Sequence, residues 1–356
     1  MAEPGVTKDI VRRAYPGNGE LVYLDTASYG LPPQPAVEAL TAALEPWRTG
    51  EQAWEEWEGK ADASRLLFAQ LLNVQPEEIA LLPSVAAATA TVLTSLEPGA
   101  EVVICGDDHA SVTLPTLSAA RRRGFTVRLA PFEDITSAIT PRTELVAVSH
   151  VHYGTGAVAD VEALRAAAPN ARIYIDATQS VGARAVTPAA WGVDCLSCSA
   201  YKWLCGARGT AFLYVAARHT EALDPIAPSR RATARPSESF AVEGLELSPT
   251  ASRFDGSLAW LAWVLTYHAL EVVSELAAKM HTGHTLARML ADALAIPWSG
   301  SSIVSVPVGD PRSVQRGLLD AGIKVSARAG AIRVSPHVYN TERDIGAAAG
   351  ALVSYL

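Results

Sequence analysis

Two polar side chains end apolar runs in a way that suits amine chemistry. Ile173-Tyr174-Ile175 leads into Asp176, and Ser197-Cys198-Ser199-Ala200-Tyr201 leads into Lys202. Ligands of open α/β sheets bind beyond the carboxyl ends of strands, so the two residues meet in one crevice if their strands are close. A lysine can be tuned to a neutral amine by burial and neighbouring charge, and can then attack a carbonyl. On spacing alone a structural ion pair explains Asp176 and Lys202 equally well. Cys195-Leu196-Ser197-Cys198 has a C-x-x-C spelling, but it lies in a strand-like run whose period of two throws the thiols onto opposite faces. No second C-x-x-C or H-x-x-x-H completes a tetrahedral set, and no metal site is expected.

The words around these residues resemble a known family. Tyr23-Leu24-Asp25-Thr26-Ala27-Ser28, Asp176-Ala177-Thr178-Gln179, Ser199-Ala200-Tyr201-Lys202-Trp203-Leu204-Cys205-Gly206 and Arg333-Val334-Ser335-Pro336-His337-Val338-Tyr339-Asn340-Thr341 resemble the class V aminotransferases. That family of pyridoxal-phosphate enzymes includes cysteine desulfurases, kynureninases, isopenicillin-epimerase-like proteins and cysteine-conjugate lyases. The ordered set runs from about Leu21 to the C-terminus. It implies fold type I, with Lys202 carrying pyridoxal 5'-phosphate as a Schiff base. It sets Asp176 against the pyridine nitrogen, where a negative charge keeps the ring able to accept electrons. Gln179 matches the residue that hydrogen-bonds the phenolic oxygen.

For the phosphate, the turn Pro83-Ser84-Val85-Ala86 opens a helix and offers a hydroxyl and free N–H groups at a positive dipole end. Many relatives have a Gly-Thr-Thr type run there, so Val85 and Ala86 contribute backbone only, and more load falls on Ser199 and Tyr201. Arg253-Phe254-Asp255-Gly256-Ser257 is similar to the segment by which a neighbouring subunit reaches the phosphate, which implies a homodimer with shared active sites and Ser257 as the donor. An N-cap for the following helix explains Ser257 as well. His109 stands where relatives stack a ring on the cofactor, the alternative being a surface loop histidine. His152 is a candidate substrate contact or a satisfied loop histidine. Arg333 matches the arginine that grips an α-carboxylate, a bidentate task for a planar guanidinium. Ser28 and Tyr29 lie on a segment that approaches the same cleft, though a plain turn before Gly30 also explains them.

The substrate implied is an α-amino acid or a conjugate of one. Desulfurases place a nucleophilic cysteine on a loop before the carboxylate arginine, and Gly322 to Ile332 contains none. The loop before Arg333 and the run Lys202 to Gly209 most resemble lyases that cleave a carbon–sulfur bond in ergothioneine-type biosynthesis. β-Elimination from an S-substituted cysteine is therefore the leading expectation. Aminotransferase, epimerase and decarboxylating or oxidative deaminase chemistry are the alternatives, with a non-catalytic regulator behind them.

The elements that must position these residues alternate as parallel βαβ units do, which makes the fold class α/β. Buried strands are expected at Glu78–Leu82, Glu101–Cys105, Thr126–Leu129, Glu144–Ser149, Arg172–Asp176, Cys195–Ser199 and Thr210–Val215. Helices are expected at Val85–Leu96, Ser111–Arg123, Val161–Ala168 and, very short, Gln179–Ala183. The family implies a three-layer sandwich over residues 15–257, with a smaller α+β unit over 258–356 joined by residues 1–14. In that unit a long helix runs from Ser257 to Leu294, with strands at Ile303–Val306, Lys324–Ser326 and Ala331–Ser335 and helices at Ser313–Asp320 and Thr341–Tyr355. Asp224–Leu247, rich in Pro, Ser, Arg and Ala, reads as a surface excursion able to cover a cleft.

The 356 residues can bury a sizeable core. A net charge of −8 argues against a nucleic-acid or anionic-membrane surface. No apolar run of about 18 residues appears, and Met1 to Tyr15 has no apolar stretch of the secretory type, so a cytoplasmic protein is expected. Four cysteines suit a reducing compartment.

Overall fold

The computed structural model describes residues 10–16, 21–238 and 244–356. Twelve strands are recognised among them. A first sheet takes β2 (Ile79–Leu82), β3 (Glu101–Cys105), β4 (Thr126–Ala130), β5 (Thr143–Ser149), β6 (Arg172–Asp176), β7 (Cys195–Ser199) and β8 (Ala211–Val215), in the order β2-β8-β7-β6-β5-β3-β4. Strands β4, β3, β5, β6 and β7 run parallel, while β8 is antiparallel to both of its neighbours. All seven coincide with expected strands to within a residue or so. Six of them are buried because a sheet covered on both faces encloses its strands; the edge strand β4, expected to be buried, is not, with Leu129 61% exposed.

One face is covered by α2 (Trp54–Leu72), α5 (Val161–Ala167) and α6 (Trp260–Glu275), through Phe68, Leu164, Trp263 and Leu270. The other is covered by α3 (Val85–Val92) and α4 (Ala110–Arg123), through Ala88, Val92, Val112 and Ala119. Cys198 packs on the first face and Cys195 on the second, the split that period two requires.

The second layer is built from both ends of the chain. Strands β9 (Val304–Pro307), β11 (Ser326–Arg328) and β12 (Ala331–Val334) form an antiparallel sheet, and β1 (Val22–Tyr23) pairs in parallel with β10 (Ile323–Lys324). Residues 22–25 thus join the C-terminal elements, Asp25 bridging to Ser335. Helices α7 (His281–Ala293), α8 (Pro311–Asp320) and α9 (Glu342–Leu352) pack on these strands through Leu290, Leu318 and Ile345. Among the described residues no helix is long and apolar enough to cross a membrane.

Several details differ from the sequence reading. The helix expected from Ser257 to Leu294 is two helices, α6 and α7, separated by the turn Ala277–Lys279. Its first half packs on the large sheet and its second on the C-terminal one, so the chain breaks where it changes cores. Gln179–Ala183 is a pair of turns rather than a helix, because Gly182 adopts φ +91° and any Cβ there would lie 2.5 Å from the Trp203 carbonyl oxygen. Helices α1 (Gln34–Thr49) and α2 went unrecognised in the sequence. The buried stripe of α2 includes Ser64 and Arg65, and these polar residues dilute the apolar period. The surface excursion is pinned where it is described: Arg230 and Arg231 both pair with Glu58. None of its described residues lines the cavity around Lys202, and residues 239–243 lie outside the described set.

Candidate active site

Parallel pairing of β6 with β7 sets Asp176 beside Ser197 and brings the carboxyl ends of both strands to one edge. Lys202 stands three residues beyond β7, and its backbone is clamped. Gly30 donates to the Tyr201 carbonyl at 2.9 Å, and a Cβ on Gly30 would lie 2.1 Å from the Lys202 carbonyl oxygen. The Lys202 amine is buried, and that desolvation lowers it to about 8, against the pull of Asp176 and with help from the Arg333 charge. Asp176 is buried too, which raises its carboxyl; hydrogen bonds from Thr178, one from its backbone N–H at 3.0 Å, and the Lys202 charge oppose that rise. A half-neutral amine near pH 8 faces a held carboxyl group, the state a carbonyl-attacking lysine needs.

Around them opens a cavity of about 430 Å³. Ser84, Val85, Ser199 and Tyr201 line one end of it. Ser84 caps α3, accepting from the Ala87 N–H at 3.2 Å. The first N–H groups of a helix have no intrahelical partner, so those of Val85 and Ala86 are free for an anion. Gln179 is fixed by two bonds, accepting from Trp203 Nε1 at 2.7 Å and donating to the Ala27 carbonyl at 3.1 Å. One of its amide N–H groups remains uncommitted.

His109 lines the cavity and caps α4, its Nδ1 accepting from the Ser111 N–H at 3.2 Å. Burial and then the Lys202 charge lower it to about 4, so the ring is neutral near pH 7. Asp108, one residue earlier, turns into the sheet and accepts from the Ser149 hydroxyl at 2.6 Å. At the opposite end Arg333 is buried by four contacts. It donates to Ser326 Oγ (3.1 Å), the Tyr153 carbonyl (2.8 Å), Asp25 Oδ1 (3.3 Å) and Ser28 Oγ (2.7 Å). The sequence reading matched Arg333 to an arginine that grips a substrate carboxylate with two bonds. Here four of its five N–H groups are engaged within the protein, leaving one on Nη1.

Residues 22–347 match the sequence profile described as aminotransferase class-V. The chain belongs to this family. An uncharacterised aminotransferase of Bacillus subtilis is 29% identical over 82% of this chain and 83% of its own length. A kynureninase of Deinococcus radiodurans is 29% identical over 58% of this chain and 55% of its own, so that match spans about half of the relative. Among solved structures, an apo cysteine desulfurase of Thermococcus onnurineus superposes with TM-score 0.83 at 22% identity, covering 99% of this chain and 98% of that one. The complex of a cystine C-S lyase with its product cysteine persulfide gives 0.84 at 20% identity, covering 96% and 99%. At these identities the likeness is one of fold, here the fold type I architecture.

This class-V aminotransferase-family chain does not gather every residue singled out in its sequence. Ser257 is exposed and lines a separate cleft with Trp54, Arg230 and Trp260. Tyr29 is 48% exposed and leans on Tyr23 instead of the cavity. His152 is a satisfied loop histidine, held by Thr155 and the Asp107 carbonyl, each at 3.0 Å. The sequence reading missed Asp25, Tyr153, Arg208 and Arg328. The last three line the cavity, and Arg208 lies 5.4 Å from the Tyr201 ring. Alternation along a β11–β12 hairpin is the signal that could have found Arg328: the register pairs Ser326 with Arg333 and Arg328 with Ala331, so Arg328 and Arg333 share a face.

Proposed function

We propose that this chain is a pyridoxal-phosphate enzyme that eliminates a thiol from an S-substituted cysteine. The observation that carries the reading is one cavity lined by both Lys202 and Arg333, with the buried Asp176 close enough for its charge to act on Lys202 and no cysteine among the described lining residues. The residues fit the cofactor. Asp176 would pair with the pyridine nitrogen, Gln179 would give its spare N–H to the phenolic oxygen, His109 would cover a ring face, and Ser84, Val85, Ala86, Ser199 and Tyr201 would hold the phosphate. Pyridoxal phosphate supplies an electron sink that makes the substrate's Cα proton acidic.

The protein residues then divide the work. A substrate carboxylate takes the free Nη1–H of Arg333 and displaces Ser28 from Nη2, which fixes the Cα–H bond toward Lys202. Lys202 removes that proton as its general base. The electron pair closes a Cα=Cβ bond while the Cβ–S bond breaks to give a thiolate. Hydrolysis of the released enamine gives pyruvate and ammonia. A desulfurase reading would need a thiol at the substrate. All four cysteines are buried, and burial pushes the Cys205 thiol up to about 12. Aminotransfer is the second reading, favoured by the Bacillus subtilis relative's description as an aminotransferase.

The same reading makes the unit a homodimer, with Ser257 serving the neighbour's phosphate. Its exposed position outside its own Lys202 cavity supports this, as do Val37, Leu44 and Trp47 exposed along α1. The test is a product analysis of the holoenzyme with S-alkyl-L-cysteines. Equal yields of thiol, pyruvate and ammonia are expected. Keto acid formed together with pyridoxamine phosphate, and no free thiol, would establish aminotransfer instead.

A further inference from the structure

We infer that the substrate carries a second acidic group on its sulfur substituent, and that Arg328 at the mouth of the cavity receives it. The inference rests on the reading that an amino-acid conjugate occupies this site. The cavity is lined by Lys202, Arg208, Arg328 and Arg333, and among the described residues no carboxylate lines it. Three of these cations have an assigned counterpart. Arg333 pairs with Asp25 and awaits the α-carboxylate. Lys202 faces Asp176, and its charge acts on that carboxyl. Arg208 lies over the Tyr201 ring at the phosphate end.

Arg328 has no such partner. Its side-chain hydrogen bond goes to the adjacent Ala327 carbonyl, at 2.8 Å, and among the described residues no carboxylate pairs with it. Its charge nevertheless reaches the site, since it acts to lower both Lys202 and Arg333. The hairpin explains why. Arg328 and Arg333 share a face of β11–β12, with the turn Ala329–Gly330 between the strands at φ +48° and +75°. With the α-carboxylate held at Arg333, which is the deeper group, a substituent leaving Cβ toward the mouth ends beside Arg328. An oxyanion there would find a guanidinium able to bind it with two parallel N–H bonds. The site thereby selects acidic conjugates over neutral ones of equal size.

The experiment is a titration of the holoenzyme followed by its visible cofactor absorbance, which reads binding without requiring cleavage. The probes are S-(2-carboxyethyl)-L-cysteine, its near-isostere S-propyl-L-cysteine, S-(2-sulfoethyl)-L-cysteine and S-(2-aminoethyl)-L-cysteine. Wild type should favour the carboxyethyl over the propyl conjugate by roughly three- to tenfold, as for a partly exposed charge-assisted pair. Arg328→Gln should bring that ratio close to one, and Arg328→Glu should reverse it in favour of the aminoethyl probe. The sulfoethyl arm shows whether a sulfonate is taken as well as a carboxylate. Equal midpoints in wild type, or a ratio that survives Arg328→Gln, would overturn the inference and leave the conjugate reading standing. Absorbance unmoved by every conjugate would overturn both.

Discussion

The two sides of the cavity are built in opposite ways. The floor, Ser199 and Lys202 together with the buried Asp176 and Gln179 that do not themselves line the cavity, comes from one short stretch of chain at the ends of two adjacent parallel strands. The roof is assembled from the two ends of the molecule, with Arg333 reaching Asp25 across 308 residues. On the floor burial leaves an amine poised near 8, with a carboxyl group beneath it and no direct hydrogen bond between them. On the roof the cation is paired with Asp25, and four of its five N–H groups are engaged within the protein. In the proposed reaction the floor would hold the cofactor whatever the substrate is, while the roof would select the substrate and set its orientation. The joint between them includes His337, whose Nε2 donates to the Trp203 carbonyl at 3.0 Å, one residue from Lys202.

Substitutions on the two sides should separate cleanly. The largest effect is expected for Lys202→Ala, which removes the general base and should lower turnover of an S-alkyl-cysteine by roughly a thousandfold or more. Residual turnover within tenfold of wild type would reassign the base. Asp176→Asn keeps the shape and removes the charge, and should cost about a hundredfold in kcat with little change in KM. A rise in KM alone would move Asp176 out of the chemistry.

Arg333→Lys should leave the cofactor's visible absorbance intact while weakening substrate binding about a hundredfold, since lysine restores charge without the two-pronged geometry. Arg333→Ala should in addition lower the melting temperature, because Asp25 is then left buried without its cation. Equal midpoints for wild type and Arg333→Lys in a spectral titration would make Arg333 merely structural.

The smallest effect concerns the joint. Burial lowers His337 to about 4, well below the usual 6.5, so the folded state resists a proton that the unfolded state accepts. Its contribution is complete above about pH 6.5 and is lost as pH falls toward 4, the loss reaching about 2 kcal/mol by pH 5. His337→Gln keeps a donor for Trp203 without titrating, so its denaturation midpoint should fall less steeply over that window. Parallel slopes for the two proteins would remove His337 from the joint.

Legibility in the sequence followed the same division. The floor was readable because strand ends and the Lys202 motif are local: seven strands and the Asp176–Lys202 juxtaposition follow from short words. Arg333 was readable as a word, but its ties to Asp25, Ser28, Tyr153 and Ser326 were not, because long-range contacts leave no period in a sequence. Arg328 and Arg208 escaped for a related reason, since a cation at a cavity mouth has the same spelling as a solvated one. His152 follows the second of the two readings left open by its sequence, a polar residue near a motif that is satisfied by neighbouring loop groups.

The central claim is that Lys202 carries the cofactor. Its most direct test is borohydride reduction of the yellow holoenzyme followed by peptide mass mapping. The account predicts loss of the visible band and a stable phosphopyridoxyl adduct on Lys202. A colourless protein that takes up no pyridoxal phosphate, or an adduct on Lys60, Lys279 or Lys324 with Lys202 unmodified, would contradict it.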